Sequence, residues 1–454
     1  MKSRSLLAAV TVAMVASAHI MRGQETAGND VDSTIDARSL WKRGPRSWLT
    51  LTSGKTYNRV EGLPVLFGPS FSGSVRGAIV NLSGLGILRS SHGFHWDPEN
   101  VGHRATAEVQ FGARRGFTAG ATSFDVVAPI ERWQLPEPDA GLATFVLKRD
   151  YLDYYSRHGG RLYFSAFATE NARTEVGFSE ERWASRRTRD VFSLRGDDGW
   201  RTNPEVDRGR MHLFDASVSL DSRNSATNPW AGWLVDASYE RGTGRLVRTD
   251  SPQIGPAAIA EHVTYGRALF DVRKYNRLSP AAQLNARLVL GGWLHGDRLP
   301  LERRFSVGGP GTLPGFDFRT TRFGTDVGQC STNAISIAGN PALCDRVVLA
   351  QVEYREELRS YLIDVFNRNG IRIRGTALYV RPAAVVFADA GRGWLLGPRD
   401  GELTFPSGSF PAPRTFRTDV GVGLDLGMVG LYIAKAVSAS REPANFFIRL
   451  RNRF

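Results

Sequence analysis

The sequence lacks any long apolar run beyond its amino-terminal region. No later stretch reaches about 18 uninterrupted apolar residues, which excludes the class of proteins that cross a membrane with helices. Helical periods are also few, whereas ten Trp, 48 Gly and strand-like segments are spread over the 454 residues. One large β domain therefore fits better than the two or three soluble domains that this length allows.

Cysteine is scarce. The two residues of this type, Cys330 and Cys344, lie in one loop-like stretch with Gly, Asn, Ser and Pro between them. In a chain that crosses an oxidising compartment this arrangement predicts a local disulfide, which stabilises by ~3 kcal/mol in the chain-entropy model. Two unpaired thiols are the alternative. A metal site is disfavoured because no His lies near either residue.

Signatures of catalysis are missing as well. No Ser occupies a Gly-x-Ser-x-Gly turn, and the glycines of residues 421–427 match a dinucleotide fingerprint only weakly, since their period of two predicts a strand. The segment from His92 to Asp97 fits either a metal site or a polar external loop that holds aromatic residues. We therefore expect no enzymatic activity, no metal and no cofactor. The remaining enzymatic alternative is a nucleophile and a His that converge in the fold.

The carboxy-terminal segment alternates with a period of two. One face is apolar and the other carries arginines: Phe446, Ile448, Leu450 and Phe454 oppose Arg449, Arg451 and Arg453. Residues 104–114, 214–221 and 419–428 repeat the pattern, with charges and glycines on the polar row. A dry core cannot hold so many unpaired ionisable groups, whereas the wet lumen of a wide barrel can. The pattern predicts an all-β fold, a transmembrane antiparallel β-barrel with lipid on its outside.

The amino terminus predicts export. Lys2 and Arg4 precede the apolar run of residues 6–18, and Ala16 and Ala18 offer a small-residue cleavage site. We interpret residues 1–18 as a signal peptide, 19–46 as a short periplasmic segment and 47–454 as the barrel. The predicted location is the bacterial outer membrane.

The net positive charge is consistent with a protein in a membrane. The formal net charge is +13, which in a cytoplasmic protein suggests nucleic acid. Here the basic residues are dispersed along inward strand faces and loops rather than gathered in one arm, so we expect no nucleic-acid partner. The excess charge is expected to line the lumen or to meet the phosphates of outer-membrane lipids and lipopolysaccharide.

Link lengths predict the topology. Short and long links alternate, and outer-membrane barrels have short periplasmic turns and long external loops. The very long link from His295 to Asp345 is then extracellular, and the link from Arg359 to Gly370 is periplasmic. About thirteen strands after residue 104 and three between Ser47 and Arg89 give about sixteen. Residues 143–155, in an external link, are compatible with a short helix, but their apolar spacing does not decide this.

The extracellular link also carries a family resemblance. Residues 304–319, RFSVGGPGTLPGFDFR, resemble the loop-six signature of the BamA/TamA superfamily of outer-membrane assembly barrels, the bacterial surface antigen proteins. The matching residues are Phe305, Gly308, Gly309, Gly311, Leu313, Gly315 and Phe316. A turn motif of the family is matched by Asp221, Arg223, Asn224, Pro229 and Gly232. Residues 349–358 and 385–394 resemble two of the family's strands, and Phe454 matches its assembly signal.

The resemblance implies a lumenal contact that this chain lacks in its usual form. In the family, an Arg before the Gly-aromatic pair of loop six contacts acidic residues inside the barrel. The corresponding acidic residues here are Glu353 and Asp389, but the position of the Arg is taken by Pro314. We expect Arg319 or Arg322 to substitute for it.

The resemblance further implies assembly, insertion or translocation of outer-membrane proteins through a weak seam between the first and last strands. Members that do this carry periplasmic polypeptide-transport domains, and only about thirty residues separate the predicted signal peptide from the first strand signals. We therefore expect client outer-membrane proteins and an unidentified periplasmic partner. The alternative function is a passive or dedicated export pore.

Overall fold

The computed structural model describes most of the predicted barrel. It covers residues 46–52, 56–91, 97–195, 199–249, 260–319, 330, 343–359, 361–364, 377–380, 382–397, 404–427, 429–439, 442–450 and 453. The predicted signal peptide, residues 19–45, residues 92–96, Arg322 and Phe454 lie outside the described residues.

The described residues form nineteen strands. In chain order they are β1 (Arg46–Thr52), β2 (Pro64–Val75), β3 (Ala78–Arg89), β4 (Val101–Phe111), β5 (Gly116–Pro129), β6 (Tyr154–Thr169), β7 (Ala172–Ser185), β8 (Arg208–Asp221), β9 (Gly232–Val247), β10 (Glu261–Arg277), β11 (Ala282–Gly296), β12 (Arg346–Glu357), β13 (Tyr361–Asp364), β14 (Ala377–Val380), β15 (Ala383–Leu396), β16 (Thr404–Phe405), β17 (Arg417–Asp425), β18 (Gly430–Ala436) and β19 (Asn445–Arg449).

One large sheet makes the barrel wall. It contains 17 strands, and one of them, β16, only pairs in parallel with the end of β15. The other sixteen follow one another antiparallel from β1 to β19, with β15 next to β12 and β17 next to β15. The prediction of an antiparallel barrel of about sixteen strands is confirmed.

The two faces of the wall follow the alternation. Outward residues such as Leu162 and Val422 are exposed, whereas Asp271, Arg287 and Glu353 are buried on the inner face. Apolar residues facing out and charged residues facing in are what a barrel in lipid requires. Among the described residues, the helices are too short or too polar to span a membrane.

One periplasmic link is longer than predicted. The strand expected to begin near Gly370 begins at Ala383, and β13 and β14 form a separate two-stranded sheet before it. The prediction was wrong because it overlooks Pro382, which lies between the apolar residues 377–380 and 383–396 and has no N–H to donate within a strand interior.

The link between β5 and β6, residues 130–153, which we call loop three, contains helix α1 (Glu137–Leu147). The helix follows Pro136 and has Glu137 and Asp139 in its first turn, where negative charge favours the helix dipole. It ends at Lys148, which adopts a left-handed conformation with φ 56°. The helix therefore lies earlier in the chain than the segment 143–155 suggested.

Candidate functional site in the barrel lumen

The central feature of the lumen is the link between β11 and β12, residues 297–345, which we call loop six. Its described part folds back between the strands and buries Phe305, Leu313 and Phe316 completely or nearly so. These side chains belong to a cluster with Val289 of β11 and Leu349 of β12. Apolar burial against the inner wall therefore holds the loop inside the barrel.

The glycines of loop six build its tip. The backbone N–H of Gly309 donates to the carbonyls of Leu313 (3.1 Å) and Phe316 (2.9 Å), and the N–H of Gly308 donates to the Thr312 hydroxyl (2.8 Å). Gly309 has φ 84°, a conformation that glycine adopts without steric strain. The motif is thus a compact turn with internal hydrogen bonds.

The tip is bound to two strands of the wall. The N–H of Gly315 donates to Oδ2 of Asp419 on β17 at 2.6 Å. Gln351 of β12 donates from Nε2 to the carbonyl of Thr312 at 2.8 Å. A Cβ atom at Gly315 would lie 2.6 Å from Cβ of Asp419 and 2.7 Å from the backbone nitrogen of Ala436. The closeness of the backbone to the wall therefore requires glycine at this position.

Arg319 does not replace the missing motif arginine at Pro314. Its Nη2 donates to Glu131 at 2.6 Å, its Nη1 pairs with Asp153, and neither Glu353 nor Asp389 is among its partners. The prediction was wrong for Arg319, whose φ of 50° places it in a left-handed turn with its guanidinium directed at loop three. Both of its carboxylate partners lie in that loop. The alternative, Arg322, lies outside the described residues.

The cation beside Asp389 comes from the end of the chain instead. Nη2 of Arg453 pairs with Oδ2 of Asp389, and its guanidinium lies 3.6 Å from the centre of the Phe387 ring. Glu353 accepts from Nδ2 of Asn285 at 3.0 Å. Sequence reasoning missed this role, although Arg453 already stood on the inward row of the last strand.

A buried ion network joins four extracellular links. Asp153 in loop three pairs with Arg59 from the link after β1 (2.5 Å), with Arg201 from the link after β7 (2.6 Å), and with Arg319 of loop six. Burial disfavours the charged carboxylate, but the guanidiniums of Arg201, Arg319 and Arg59 hold the pKa of Asp153 well below its usual range. The network ties these links together over the lumen.

The turn motif lies at the opposite end of the barrel. Nη2 of Arg223 bonds to Asp221 at 2.7 Å, and Oδ1 of Asn224 accepts the N–H groups of Trp230 (3.0 Å) and Ala231 (2.9 Å). Pro229 of the motif is buried. Gly232, its last residue, has φ 112°. These residues shape the link between β8 and β9 and do not meet the loop-six residues.

The two cysteines brace the base of loop six. Cys330 and Cys344 form a disulfide with their Cα atoms 4.9 Å apart. The backbone N–H of Phe305 donates to the carbonyl of Cys344 at 2.9 Å. Among the described residues, no group of three or more His, Cys, Asp or Glu side chains has a metal-binding arrangement.

Comparison with known proteins identifies the family. The protein-family model described as "Omp85 superfamily domain" matches residues 102–428. The chain belongs to the Omp85 superfamily. Omp85 proteins are bacterial outer-membrane barrels that insert or secrete proteins, so this chain is an outer-membrane protein of that general kind. The resemblance to BamA and TamA is thereby confirmed.

The chain was also compared with solved structures. The chain is similar to BamA from Haemophilus ducreyi lacking POTRA domains 1-3, with 14% identity and a TM-score of 0.50 over 90% of this chain and 70% of that one. CdiB from Acinetobacter baumannii has 12% identity and a TM-score of 0.35 over 89% and 59%. CdiB from Escherichia coli has 11% and 0.34 over 89% and 61%. No curated protein sequence matches significantly.

A buried carboxyl group in loop six gives a testable pH dependence. Glu302 is fully buried, and burial together with the neighbouring Asp207 raises its pKa well above the usual value. A carboxyl group whose pKa is higher in the folded state makes stability fall as pH rises from the unfolded pKa towards the folded one. We expect Glu302→Gln, which mimics the protonated form, to raise the free energy of unfolding at pH 8 by about 1 kcal/mol.

Urea titration of the detergent-solubilised barrel at pH 5 and pH 8, followed by heat-modifiable gel mobility, measures this effect. The difference between the two pH values should be smaller in Glu302→Gln than in the wild type. A variant that is less stable than the wild type at pH 8 would show that the charged carboxylate is the stabilising form.

Proposed function

We propose that this Omp85 protein inserts or translocates outer-membrane polypeptides through the seam between β1 and β19. The supporting observation is the shortness of pairing at these two strands. β19 pairs with β18 only over Asn445–Arg449, whereas β10 pairs with β9 over Glu261–Tyr275. Among the described residues, no backbone pairing joins β1 to β19. Within the described residues, these two edges therefore lack a strand partner, and an incoming strand can pair with such an edge.

The exposure of side chains on β1 supports a route through the seam. Leu49 and Leu51 of β1 are 80% and 75% exposed, more than any other large apolar residue of the described wall. Among the described strands, β2 alone pairs with β1. A client strand that paired with this edge would satisfy its backbone polar groups before it met lipid, which lowers the barrier to insertion.

The partners follow from the same mechanism. The clients would be outer-membrane proteins in an extended, unpaired state, because only a free strand can extend a sheet edge. Lipids and lipopolysaccharide would surround the apolar wall, and a periplasmic partner would deliver the clients. This proposal requires no catalytic residue.

Locking the seam tests the function. In a background with Cys330→Ser and Cys344→Ser, we pair Ile448→Cys with Leu49→Cys or Leu51→Cys. Oxidation should abolish the acceleration of client insertion into proteoliposomes, and dithiothreitol should restore it. The client is a small purified outer-membrane barrel protein, unfolded in urea and followed by gel mobility.

The matched control locks a seam that is already paired. Leu82→Cys with Ala107→Cys joins opposite residues of β3 and β4, and it should leave insertion unchanged. If the locked β1–β19 variant inserts clients as fast as its reduced form, the seam between β1 and β19 is not the insertion route. Large steady openings in a planar bilayer, without accelerated insertion, would instead establish the passive pore.

A further inference from the structure

Helix α1 lies beside the chain that follows the first strand. The Thr56 hydroxyl donates to the carbonyl of Glu137 at 2.8 Å, and the rings of Tyr57 and Phe145 meet edge to face with centroids 5.4 Å apart. A Cβ atom at Gly141 would lie 2.7 Å from Cβ of Thr56. The helix is therefore packed tightly against the link that follows β1.

The same helix contacts the last strand. Oδ1 of Asp139 accepts the backbone N–H of Leu450 at 2.5 Å, and Oδ2 accepts from Nε of Arg449 at 3.1 Å. Asp139 is buried. Leu450 directly follows the last residue of β19 that pairs with β18. A side-chain carboxylate thus occupies the position where a strand partner would place a backbone carbonyl.

A second contact falls on the same edge of β19. Nη1 of Arg149, just after α1, donates to the carbonyl of Phe446 at 3.4 Å. Backbone groups of residues separated by an even number of positions point to the same edge of a strand. Phe446 and Leu450 therefore present their groups on one edge, and loop three supplies an acceptor for one and a donor for the other.

We propose that loop three is an internal substitute for a client strand, with Asp139 and Arg149 capping the open edge of β19. The cap holds the seam in a resting state. A client must displace it by offering backbone carbonyl and N–H groups in an extended strand, because these groups match the capped Leu450 N–H and Phe446 carbonyl. The displacement by a client rests on the proposed function, whereas the cap itself does not.

Hydrogen exchange of the full-length protein in detergent tests the cap. Asp139→Ala removes the acceptor of the Leu450 N–H, so exchange in the peptide that contains Leu450 should become about ten- to a hundredfold faster. Asp139→Asn retains one acceptor oxygen and should restore most of the protection. Glu137→Ala is the matched control, since it removes the same charge from the same turn and should leave exchange unchanged.

Peptide binding tests the displacement separately. The probe is a fluorescent peptide that copies residues 445–454 of this chain, NFFIRLRNRF. It should bind Arg149→Ala and Asp139→Ala about tenfold more tightly than the wild type or Glu137→Ala. Arg149 is exposed, so its replacement leaves the fold intact even if Asp139→Ala fails to fold.

The outcomes separate the two proposals. Unchanged exchange in Asp139→Ala, or unchanged peptide affinity in Arg149→Ala where Asp139→Ala does not fold, overturns the cap. Faster exchange with no peptide binding by any variant supports the cap and counts against client strand pairing. Faster exchange together with tighter binding supports both.

Discussion

Replacement of Arg319 by Met is expected to lower the free energy of unfolding by about 3 to 5 kcal/mol, the range for breaking a buried ion pair from one side. Its two carboxylate partners, Glu131 and Asp153, are both buried. Asp153 retains the guanidiniums of Arg59 and Arg201, so most of the loss comes from Glu131. Urea unfolding in detergent, followed by heat-modifiable gel mobility, measures the change.

Two further variants sharpen this experiment. Arg187 is exposed in the link after β7, and Arg187→Met should change the free energy of unfolding by less than about 0.5 kcal/mol. Glu131→Gln added to Arg319→Met should recover part of the loss, because the buried charge is gone. Equal unfolding curves for Arg319→Met and Arg187→Met would contradict the structural role of the network.

Gly315→Ala is expected to remove the loop-six tip from the wall. The new methyl group would collide with Cβ of Asp419 and with the backbone of Ala436, and backbone atoms of a strand cannot move away cheaply. The hydrogen bond from Gly315 to Asp419 would also be lost. We expect a loss of about 3 kcal/mol in the free energy of unfolding, from overpacking and from the lost hydrogen bond together.

Limited proteolysis and planar-bilayer conductance report on the position of the loop in this variant. Gly315→Ala should be cleaved within loop six and should conduct more than the wild type. Gly199→Ala is the matched control, because a Cβ there would meet no atom within 4 Å. Should Gly315→Ala resist protease and conduct like Gly199→Ala, the close approach to β17 does not hold the loop.

The wall could be predicted from the sequence because the alternation of apolar and polar residues is a local pattern. The alternation of residues such as Val420, Val422 and Leu424 with Gly421 and Gly423 states which side each residue faces, without knowledge of any partner. Link lengths then order the strands. Most of the sixteen strands were found in this way, and the error before Ala383 falls where Pro382 interrupts two apolar runs.

The partners of the lumenal charges could not be predicted. Arg319 and Glu131 are 188 residues apart in the chain, and Arg453 and Asp389 are 64 apart. Their pairing depends on a left-handed turn at Arg319 and on the position of loop three, which no periodic pattern encodes. The family resemblance indicated the acidic residues of the lumen but not the arginine that neutralises Asp389.

The pairing of Asp389 with Arg453 has a consequence for biogenesis. β19 is the final strand to add to the wall in chain order, and Asp389 on β15 faces Asp419 on β17 across the ladder. A chain that ends before Arg453 would leave these two buried acidic side chains without the guanidinium that pairs with Asp389. We therefore expect such a truncated chain to complete its wall less readily than the full-length one.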